Sequence, residues 1–491
     1  MFEAAELGLK ISKEEFERRE PELHQELLAL QRRVREADFP VIIIVSGVEG
    51  AGKGDVVSLL HRWMDVRGLE TQAFWDETDE ERQRPRYWRF WRAMPPKGRI
   101  GILFGSWYTR PIIDLALKQS KRDNFDRELE RIRHFEDMLV DDGALIIKLW
   151  FHLSKKGQLK RLEEDAKGKG IKVGPLTKTY SKSYDRFAKV SERALRKTDV
   201  SHSPWHIIEA SNTRYRDARV GEILIERIKA RLDEPPPSSG RVTVSSPALQ
   251  KAGEPGVLSA VPLATTLDDK AYRRAMEQYS DELYDLAWKA RAKGVNTVAV
   301  FEGWDAAGKG GAIRRVTQAM DARLYRVISV AAPTDEEKAH HYLWRFWRHV
   351  PRDGFHTIYD RSWYGRVLVE RVEGFATDLA WQRAYNEINS FEEQLVEHGT
   401  VVLKFWVHID QEEQLRRFRE REQTPWKQHK ITDEDWRNRD RWGDYERAVT
   451  DMVVHTSTDI APWTLVPGND KRVARVEILK TYCERLAAAL D

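Results

Sequence analysis

The hydrophobic positions of the chain follow two periodicities, and each predicts a different kind of element. Apolar residues recur at helical spacing over Leu23–Val34 and again over Met276–Ala292, which predicts two amphipathic helices. Each is followed by a short aliphatic and β-branched run, Val41–Val45 and Thr297–Phe301, which predicts a buried strand. Further strands are predicted in the second half at Arg326–Val330, Thr357–Tyr359 and Val401–Val407. Such alternation is typical of an α/β fold with a mainly parallel sheet covered by helices on both faces.

One series of motifs occurs twice in the chain. GVEGAGKG begins at Gly47, and GWDAAGKG begins 256 residues later at Gly303. The same interval separates two copies each of TDEE, WRFWR and SWY, which begin at Thr78 and Thr334, at Trp88 and Trp344, and at Ser106 and Ser362. A constant interval over so many motifs indicates that one domain was duplicated and fused.

The segment between the two copies has the composition of a linker. Residues 234–266 open with EPPPSSG and continue rich in Ser, Ala, Gly and Pro, which is typical of an exposed connecting segment. We therefore expect a first domain over residues 1–233 and a second, homologous domain over residues 267–491.

Composition and charge narrow the class of protein. The 491 residues carry a net charge of only +3, which argues against a protein that coats nucleic acid. Cys483 is the single cysteine, so intrachain disulfides and cysteine-based zinc clusters are excluded. The longest aliphatic run, Val41–Val45, is too short to span a bilayer, and the acidic N-terminal segment does not resemble a secretory signal. We expect a cytoplasmic protein whose partners include neither nucleic acid nor membrane.

A phosphate-binding loop is predicted in the second copy. Gly303, Gly308 and Lys309 satisfy G-x-x-x-x-G-K between a predicted strand and a predicted helix. In such a loop the backbone amides face a phosphate and the lysine reaches its outer oxygens. The predicted phosphate-binding residues are Gly303, Ala306, Ala307, Gly308, Lys309, Gly310 and Gly311. The alternative is a glycine-rich turn with an incidental lysine. Gly310 replaces the usual Ser or Thr, so other oxygens must hold a metal ion.

Acidic residues close to this loop are candidate ligands for that metal ion. Asp305 lies inside the loop, where its charge would repel a bound phosphate unless a cation intervened or the carboxylate handled a second group. Asp360 ends a predicted strand and is a candidate Mg²⁺ ligand, while Arg361 beside it can neutralise phosphate oxygens. The alternative for Asp360 and Arg361 is a pair that caps the next helix. Glu370 is a further candidate metal ligand, although most helical glutamates are solvated.

A segment dense in cations follows the last of these strands. Between Gln414 and Arg447 the chain carries ten Lys and Arg residues interspersed with acidic ones, which is also the pattern of a salt-bridged helical surface. In a phosphate-loop kinase such a segment forms a closing lid whose arginines cover the transferred phosphoryl group. We expect Arg417 and Arg421 to act in this way and the other cations to lie on the surface.

The combined motifs resemble the polyphosphate kinase type two family. They are GWDAAGKGG, PTDEE, LWRFW, DRSWY and APW, which begin at Gly303, Pro333, Leu343, Asp360 and Ala461. The two fused copies resemble the family's class II arrangement, which is associated with phosphoryl transfer from polyphosphate to AMP. The resemblance implies two tandem P-loop kinase-like domains with helical lids, Mg²⁺ or Mn²⁺ as cofactor, and a homo-oligomer. It also implies catalytic roles for Asp305, Lys309, Asp360 and Arg361, and for Arg417 and Arg421 as lid arginines.

The first copy departs from this pattern at the positions that carry chemistry. At an interval of 256 residues, Glu49 replaces Asp305, Asp55 replaces Gly311, and Phe104 and Gly105 replace Asp360 and Arg361. Lys53 is retained. Because phenylalanine cannot bind Mg²⁺ and glycine cannot neutralise phosphate, we expect a catalytically inactive copy. It would serve packing, oligomer geometry or binding of the polyphosphate donor.

Three other functions stay open at this point. The same fold could phosphorylate ADP or GDP to triphosphates, or run in reverse to lengthen polyphosphate. An ATP-dependent nucleotide kinase is disfavoured by Gly310 and by the full motif set. A non-catalytic polyphosphate-binding protein is disfavoured by the intact second copy.

Overall fold

The computed structural model describes residues 1–168, 183–234 and 256–491. Their internal contacts divide the chain into two compact units. The first unit contains the described residues of Met1–Glu77, Arg89–Arg241 and Asp335–His341. The second unit contains those of Thr78–Trp88, Val242–Thr334 and Tyr342–Asp491.

Each unit is built on a five-stranded parallel sheet. The strands of the first sheet are β1 (Val41–Gly47), β2 (Leu69–Ala73), β3 (Ile100–Phe104), β4 (Leu145–His152) and β5 (Trp205–Glu209), in the order β2-β3-β1-β4-β5. Those of the second are β6 (Asn296–Gly303), β7 (Tyr325–Ser329), β8 (His356–Asp360), β9 (Thr400–His408) and β10 (Trp463–Pro467), in the order β7-β8-β6-β9-β10. Both loops with the GKG motif therefore leave the central strand of a sheet.

Helices connect the strands, as parallel pairing requires. In the first half they are α1 (Lys13–Val34), α2 (Lys53–Trp63), α3 (Asp79–Arg82), α4 (Trp88–Arg92), α5 (Thr109–Ala116), α6 (Arg122–Asp141), α7 (Lys155–Gly168), α8 (Tyr184–Thr198) and α9 (Thr213–Asp233). In the second half they are α10 (Asp269–Lys293), α11 (Lys309–Gln318), α12 (Asp335–Lys338), α13 (Trp344–Trp347), α14 (Val369–Val372), α15 (Asp378–Glu397), α16 (Gln411–Gln423), α17 (Asp433–Asp440), α18 (Trp442–Thr456) and α19 (Lys471–Leu490). Short 3₁₀ helices cover Phe2–Ala5, Val66–Gly68, Val257–Ala260, Trp363–Arg366 and Pro425–Lys430.

The α/β fold class and the predicted strands are confirmed, whereas the first predicted helix is longer than its apolar pattern. Helix α1 begins at Lys13 because Ser12 caps it, accepting a hydrogen bond from the Glu15 amide. Its buried face starts only at Leu23 and continues through Leu27, so the polar first half gives no helical periodicity to read.

Most of the predicted linker, residues 235–255, lies outside the described residues. The described remainder includes Leu258, which is buried, and Gly256, which lies against Thr450 of α18. This end of the segment is therefore packed within the second unit. No helix in the described part of the chain is both long and apolar enough to cross a bilayer.

The second sheet brings the predicted chemical residues to one edge. Strand β6 ends at Gly303 and β8 ends at Asp360, and the register pairs Phe301 with Asp360. Because both strands run parallel, the loop after β6 and the DRSWY segment after β8 emerge side by side at the carboxyl edge, where ligands bind in open α/β sheets.

Candidate active site

The loop after β6 has the backbone of a phosphate-binding loop. Gly303 has φ +148°, and a Cβ there would lie 2.5 Å from the carbonyl oxygen of Val407, so only glycine fits against the neighbouring strand. Gly308 has φ +114° immediately before α11, and Ala306 has φ 61°, a left-handed conformation that costs energy for a residue with a side chain. The backbone is thus shaped to turn sharply into the helix N-terminus.

Lys309, the first residue of α11, folds back over this loop. Its Nζ donates hydrogen bonds to the carbonyl oxygens of Gly303, at 2.6 Å, and Trp304, at 3.1 Å. Burial lowers the pKa of Lys309, while the nearby carboxylate of Asp305 opposes that shift. The ammonium group is therefore held against the loop, near the carboxylate of Asp305.

A cleft of about 660 Å³ brings most of the predicted site residues together. The predicted residues that line it are Asp305, Ala306, Ala307, Gly308, Lys309, Gly310, Gly311, Asp360, Arg361 and Arg421. Arg314, Arg315, Thr432, Glu434, Asp435 and Arg475 complete its lining. Carboxylates and cations are therefore mixed around one loop, as a site for phosphates and a divalent cation requires.

The Asp305 carboxylate is oriented from two sides. Its Oδ1 accepts a hydrogen bond from Nη2 of Arg361 at 3.3 Å, and its Oδ2 accepts one from Nδ2 of Asn438 at 3.0 Å. Tyr445 in turn donates its hydroxyl to Oδ1 of Asn438 at 3.1 Å, and this contact fixes the orientation of the amide. Although burial alone would lower the pKa of Arg361, nearby carboxylates, chiefly Asp305, raise it.

Helix α17 and the start of α18 form a lid over the loop. Asn438 belongs to α17, and Trp442 at the start of α18 stacks on Trp304 of the loop, with ring centroids 3.6 Å apart and planes 10° from parallel. Asp305 thus lies between two lid contacts, one polar and one aromatic. The lid predicted from the basic segment is present in the second unit. Its hydrogen bond to Asp305 comes from the side-chain amide of Asn438 and not from an arginine of the lid.

Asp305 and Asp360 fit a divalent cation. Both line the cleft beside the loop, and Mg²⁺ is commonly held by one or two carboxylates together with substrate phosphates and water. Among the described residues, no group of three or more His, Cys, Asp or Glu side chains is arranged around one point. A cation here would therefore depend on phosphate oxygens to complete its ligands.

Arg417 and Glu370 are not placed for the roles that the sequence predicts for them. Arg417 is buried, and Nη1 donates to the carbonyl oxygens of Ala306 and Ala307 while Nη2 donates to that of Gly468. Its guanidinium is occupied by the backbone, so it braces the loop from behind and does not act as a lid arginine. Glu370 does not line the cleft, and its carboxylate pairs with Arg366 at 2.9 Å, so it is not placed to hold the predicted metal.

Glu302 and Asn438 are candidate site residues that sequence reasoning missed. Glu302 is buried near the end of β6, where its Oε1 accepts a hydrogen bond from Oγ of Ser362 at 2.9 Å. Burial raises its pKa, which the charge of Lys309 partly offsets. A glutamate inside a buried strand is unusual, and the first copy has Ser46 at the equivalent position. The sequence therefore held a signal that marks Glu302 as a candidate site residue. For Asn438 the sequence holds no comparable signal.

The loop of the first unit keeps the backbone and the lysine contacts of the loop in the second unit. Nζ of Lys53 donates to the carbonyl oxygens of Gly47 and Val48, at 3.0 and 2.9 Å, as Lys309 does in the second unit. Nη1 of Arg216, in α9, donates to the Ala51 carbonyl and lies so close to Gly52 that a Cβ there would overlap it. The predicted losses at Phe104 and Gly105 stand at the end of β3, beside this filled loop.

Comparison with known proteins assigns the family. The model of the polyphosphate kinase 2 (PPK2) family matches residues 10–236 and 266–490. A polyphosphate:AMP phosphotransferase of Pseudomonas aeruginosa is 49% identical over 493 residues, which cover 100% of this chain and 99% of that protein. A second, of Pseudomonas syringae pv. tomato, is 47% identical with the same coverage. A crystal structure described as a polyphosphate kinase 2 of Pseudomonas aeruginosa superimposes with a TM-score of 0.90 at 48% identity, covering 100% of this chain and 99% of that one. The chain therefore belongs to the polyphosphate kinase 2 family.

Proposed function

We propose that this chain transfers the terminal phosphoryl group of inorganic polyphosphate to AMP and so forms ADP. Two relatives that match along the whole chain carry the name of this activity. The observation that carries the proposal is the cleft in which Lys309, Asp305, Asp360 and Arg361 meet beside a phosphate-binding loop.

The loop and Lys309 bind the donor. The backbone amides of Gly308, Lys309 and Gly310 stand at the start of α11 beside the cleft, where they and the Nζ of Lys309 contact the terminal phosphate. Phosphoryl transfer needs little covalent chemistry from the protein, because positioning and neutralisation of charge dominate the barrier. Residues fixed before substrate arrives act most strongly here, and Lys309 is fixed by its two carbonyl contacts.

Asp305 positions the acceptor, and Arg361 acts on the transferred group. An oxygen of the AMP phosphate attacks the terminal phosphorus, the bond from that phosphorus to the bridging oxygen breaks, and the shortened polyphosphate leaves with the electron pair. Arg361 neutralises charge on the transferred group, while Asp305 orients the acceptor from the lid side of the loop. Mg²⁺, when bound, would be held by Asp360 and Asp305 and would supply further neutralisation of phosphate charge. The lid helix α17 excludes water from the cleft.

The test is to incubate the protein with polyphosphate and Mg²⁺ and to supply AMP, ADP, GMP or GDP in separate reactions. ADP formed from AMP should be the fastest product. Faster formation of ATP from ADP, or of GTP from GDP, would contradict the proposed acceptor, and transfer from ATP at a rate similar to that from polyphosphate would contradict the proposed donor.

Replacement of Asp360 with Asn tests the catalytic assignment within the same assay. The substitution keeps the size of the side chain and removes the charge that would hold a divalent cation. We expect AMP phosphorylation to fall at least about a hundredfold with no change in thermal unfolding. Retained turnover would remove Asp360 from the site.

A further inference from the structure

Glu302 is a buried acid close to the catalytic cleft that does not line it. It precedes the last residue of β6, and only 6% of its surface is exposed. Asp305 and Lys309 line the catalytic cleft, whereas Glu302 lines an adjoining cavity of about 80 Å³ together with Arg361. Burying a carboxylate costs free energy unless the group is hydrogen-bonded, so the partner of Glu302 indicates why the acid is there.

The partner of Glu302 is the hydroxyl of Ser362, the residue that follows Arg361. Oγ of Ser362 donates a hydrogen bond to Oε1 of Glu302 at 2.9 Å and accepts one from the amide of Tyr364 at 3.3 Å. Ser362 is buried, and it caps the 3₁₀ helix Trp363–Arg366. Hydrogen bonds to a carboxylate are stronger than those between neutral groups. The contact therefore fixes the start of the segment that follows β8.

This contact lies next to a strained residue. Arg361 has φ 63°, a left-handed conformation that persists in a residue with a Cβ only where the surrounding contacts hold it. On one side the amide of Arg361 donates to the carbonyl oxygen of Phe301 at 3.1 Å, and on the other Glu302 holds Ser362. Both contacts come from adjacent residues of β6. Together they fix the backbone from which the guanidinium of Arg361 reaches Asp305, at 3.3 Å.

The first unit has the backbone contact without the side-chain contact. The amide of Gly105 donates to the carbonyl oxygen of Val45 at 3.4 Å. Ser46 stands at the position of Glu302, and among the residues that the structure describes no carboxylate accepts a hydrogen bond from Ser106, the serine after Gly105. Glycine adopts the left-handed conformation without strain and needs no such support. The buried carboxylate therefore accompanies the strained arginine and is absent where glycine takes its place.

We propose that Glu302 is a positioning residue that holds Arg361 in place through Ser362. This inference rests on the proposed function, in which Arg361 neutralises charge on the transferred phosphoryl group. Because that neutralisation acts most strongly in the transition state, a displaced guanidinium slows the transfer step more than it weakens the binding of AMP or polyphosphate. Glu302 itself contacts neither substrate.

The test removes each end of the contact in turn. Glu302→Ser installs the residue that the first unit carries at this strand position, and Ser362→Ala removes the hydroxyl. Each variant loses one hydrogen bond that involves a charged group, so each should lower kcat about tenfold or more. The KM for AMP and the KM for polyphosphate should stay within about threefold of the wild type. The double variant should be no slower than the slower single variant, because the two residues form one contact.

A conservative variant and a matched control separate this role from others. The amide oxygen of Glu302→Gln can still accept the hydrogen bond from Ser362, so kcat should stay within about threefold of the wild type. If the charge of Glu302 acted directly on a phosphate or a cation, this variant would be as slow as Glu302→Ser, which would overturn the proposal. Ser106→Ala removes a hydroxyl that accepts from the amide of Tyr108 at 3.4 Å and has no carboxylate partner in the described part of the chain. It should keep the wild-type kcat.

Measuring transfer to AMP and to ADP separates this inference from the proposed function. Faster transfer to ADP, with kcat still lowered in Glu302→Ser, would refute the proposed acceptor and support the positioning role. If neither nucleotide were phosphorylated, the proposed function would fail, and a crystal structure of Glu302→Ser would decide this inference by itself. Arg361 should then leave the left-handed conformation or lose its contact with Asp305. An unmoved Arg361, a loss confined to one KM, or additive losses in the double variant would overturn the proposal. Should Glu302→Ser fail to fold, Ser362→Ala provides the same measurements.

Discussion

The two phosphate-type loops of this chain differ in their side chains far more than in their backbone. At equivalent positions, Gly50 and Ala306 have φ 78° and 61°, and Gly105 and Arg361 have φ 80° and 63°. The left-handed conformation is therefore kept in both units, but in the second it is imposed on residues that carry side chains, at a cost of about 1–2 kcal/mol each. In the first unit, glycine at both positions removes this strain. A phosphate-loop backbone and its lysine are thus insufficient evidence for a phosphate site.

Both sheets carry the same buried lysine–glutamate pair, on β4 in the first unit and on β9 in the second. Lys404 of β9 pairs with Glu392 at 2.7 Å and donates to the carbonyl of Thr456, and Lys148 of β4 pairs with Glu136 at 2.8 Å and donates to the carbonyl of Thr198. All four charged side chains are almost fully buried. The duplication has therefore kept this buried contact in both units, whereas the side chains around the two loops differ.

The first prediction has the largest expected effect on activity and concerns the equivalent lysines of the two loops. Lys309→Ala should lower AMP phosphorylation by about 10²–10³-fold or more, because it removes a fixed cation from the transferred phosphate. Lys53→Ala should leave turnover within about a factor of three, since its loop is filled by Arg216. Steady-state rates with polyphosphate and AMP provide the measurement. Equal losses in the two variants would mean that the first unit also takes part in catalysis.

The second prediction concerns the buried lysine–glutamate pair that both units share. Lys404→Met and Lys148→Met each leave a buried glutamate unpaired, which costs about 3–5 kcal/mol in the free energy of unfolding. We expect both variants to be destabilised to a similar degree, as measured by denaturant unfolding, because the partners of the two lysines are equivalent. Replacing lysine and glutamate together, as in Lys404→Met with Glu392→Gln, should recover part of the loss. A loss below about 1 kcal/mol in one unit alone would show that the pairs are not equivalent.

The third prediction uses a polar contact found in the second unit alone. The buried His356 ring accepts or donates a hydrogen bond with Oγ1 of Thr297 at 2.8 Å, and the equivalents in the first unit are Ile100 and Val41. Burial lowers the pKa of His356 to about 4, from an unfolded value near 6.5. The unfolded chain therefore binds the proton more tightly, and stability present above about pH 6.5 is lost as the pH falls toward 4.

The matching experiment replaces Thr297 with Val and His356 with Ile together. Between about pH 6.5 and 4, the wild-type second unit should lose up to about 3 kcal/mol that the double variant retains. Denaturant unfolding at several pH values gives the slope. His408, whose pKa burial also lowers to about 4, remains in both proteins, so the slope should become smaller without vanishing. An unchanged slope would mean that His356 does not titrate in this range.

Much of the site could be predicted because its chemistry is contiguous in sequence. Asp305 and Lys309 lie in one loop and Asp360 and Arg361 at one strand end, and parallel strands carry both to the same edge. The role of Arg417 could not be predicted, because a basic helix has the same sequence pattern whichever way one guanidinium points. Asn438 reaches Asp305 across 133 residues of chain, and no local pattern marks a neutral amide as a partner of a loop carboxylate.

The last prediction has the smallest expected effect and concerns Asn438. It compares how the carboxylates of the two loops are held. Asp305 is held by Arg361 and Asn438, whereas the carboxylate of Glu49 lies 3.6 Å from Lys53 of its own loop. A hydrogen bond to a charged group contributes about 1.5–3 kcal/mol, so Asn438→Ala should lower kcat/KM for AMP about tenfold or somewhat more. The KM for polyphosphate should stay constant, because Asp305 acts on the acceptor.

Two further variants decide whether Asn438 acts through this contact. Asn438→Asp has nearly the same shape but sets a second negative charge against Asp305, so it should be slower than Asn438→Ala. Tyr445→Phe removes only the hydroxyl that orients the amide, and it should lower kcat/KM for AMP less than either. If Asn438→Asp matched the wild type, or if the loss appeared in the KM for polyphosphate, the lid would not position Asp305 through Asn438. The difference between the two loops would then rest on Arg361 and Asp360 alone.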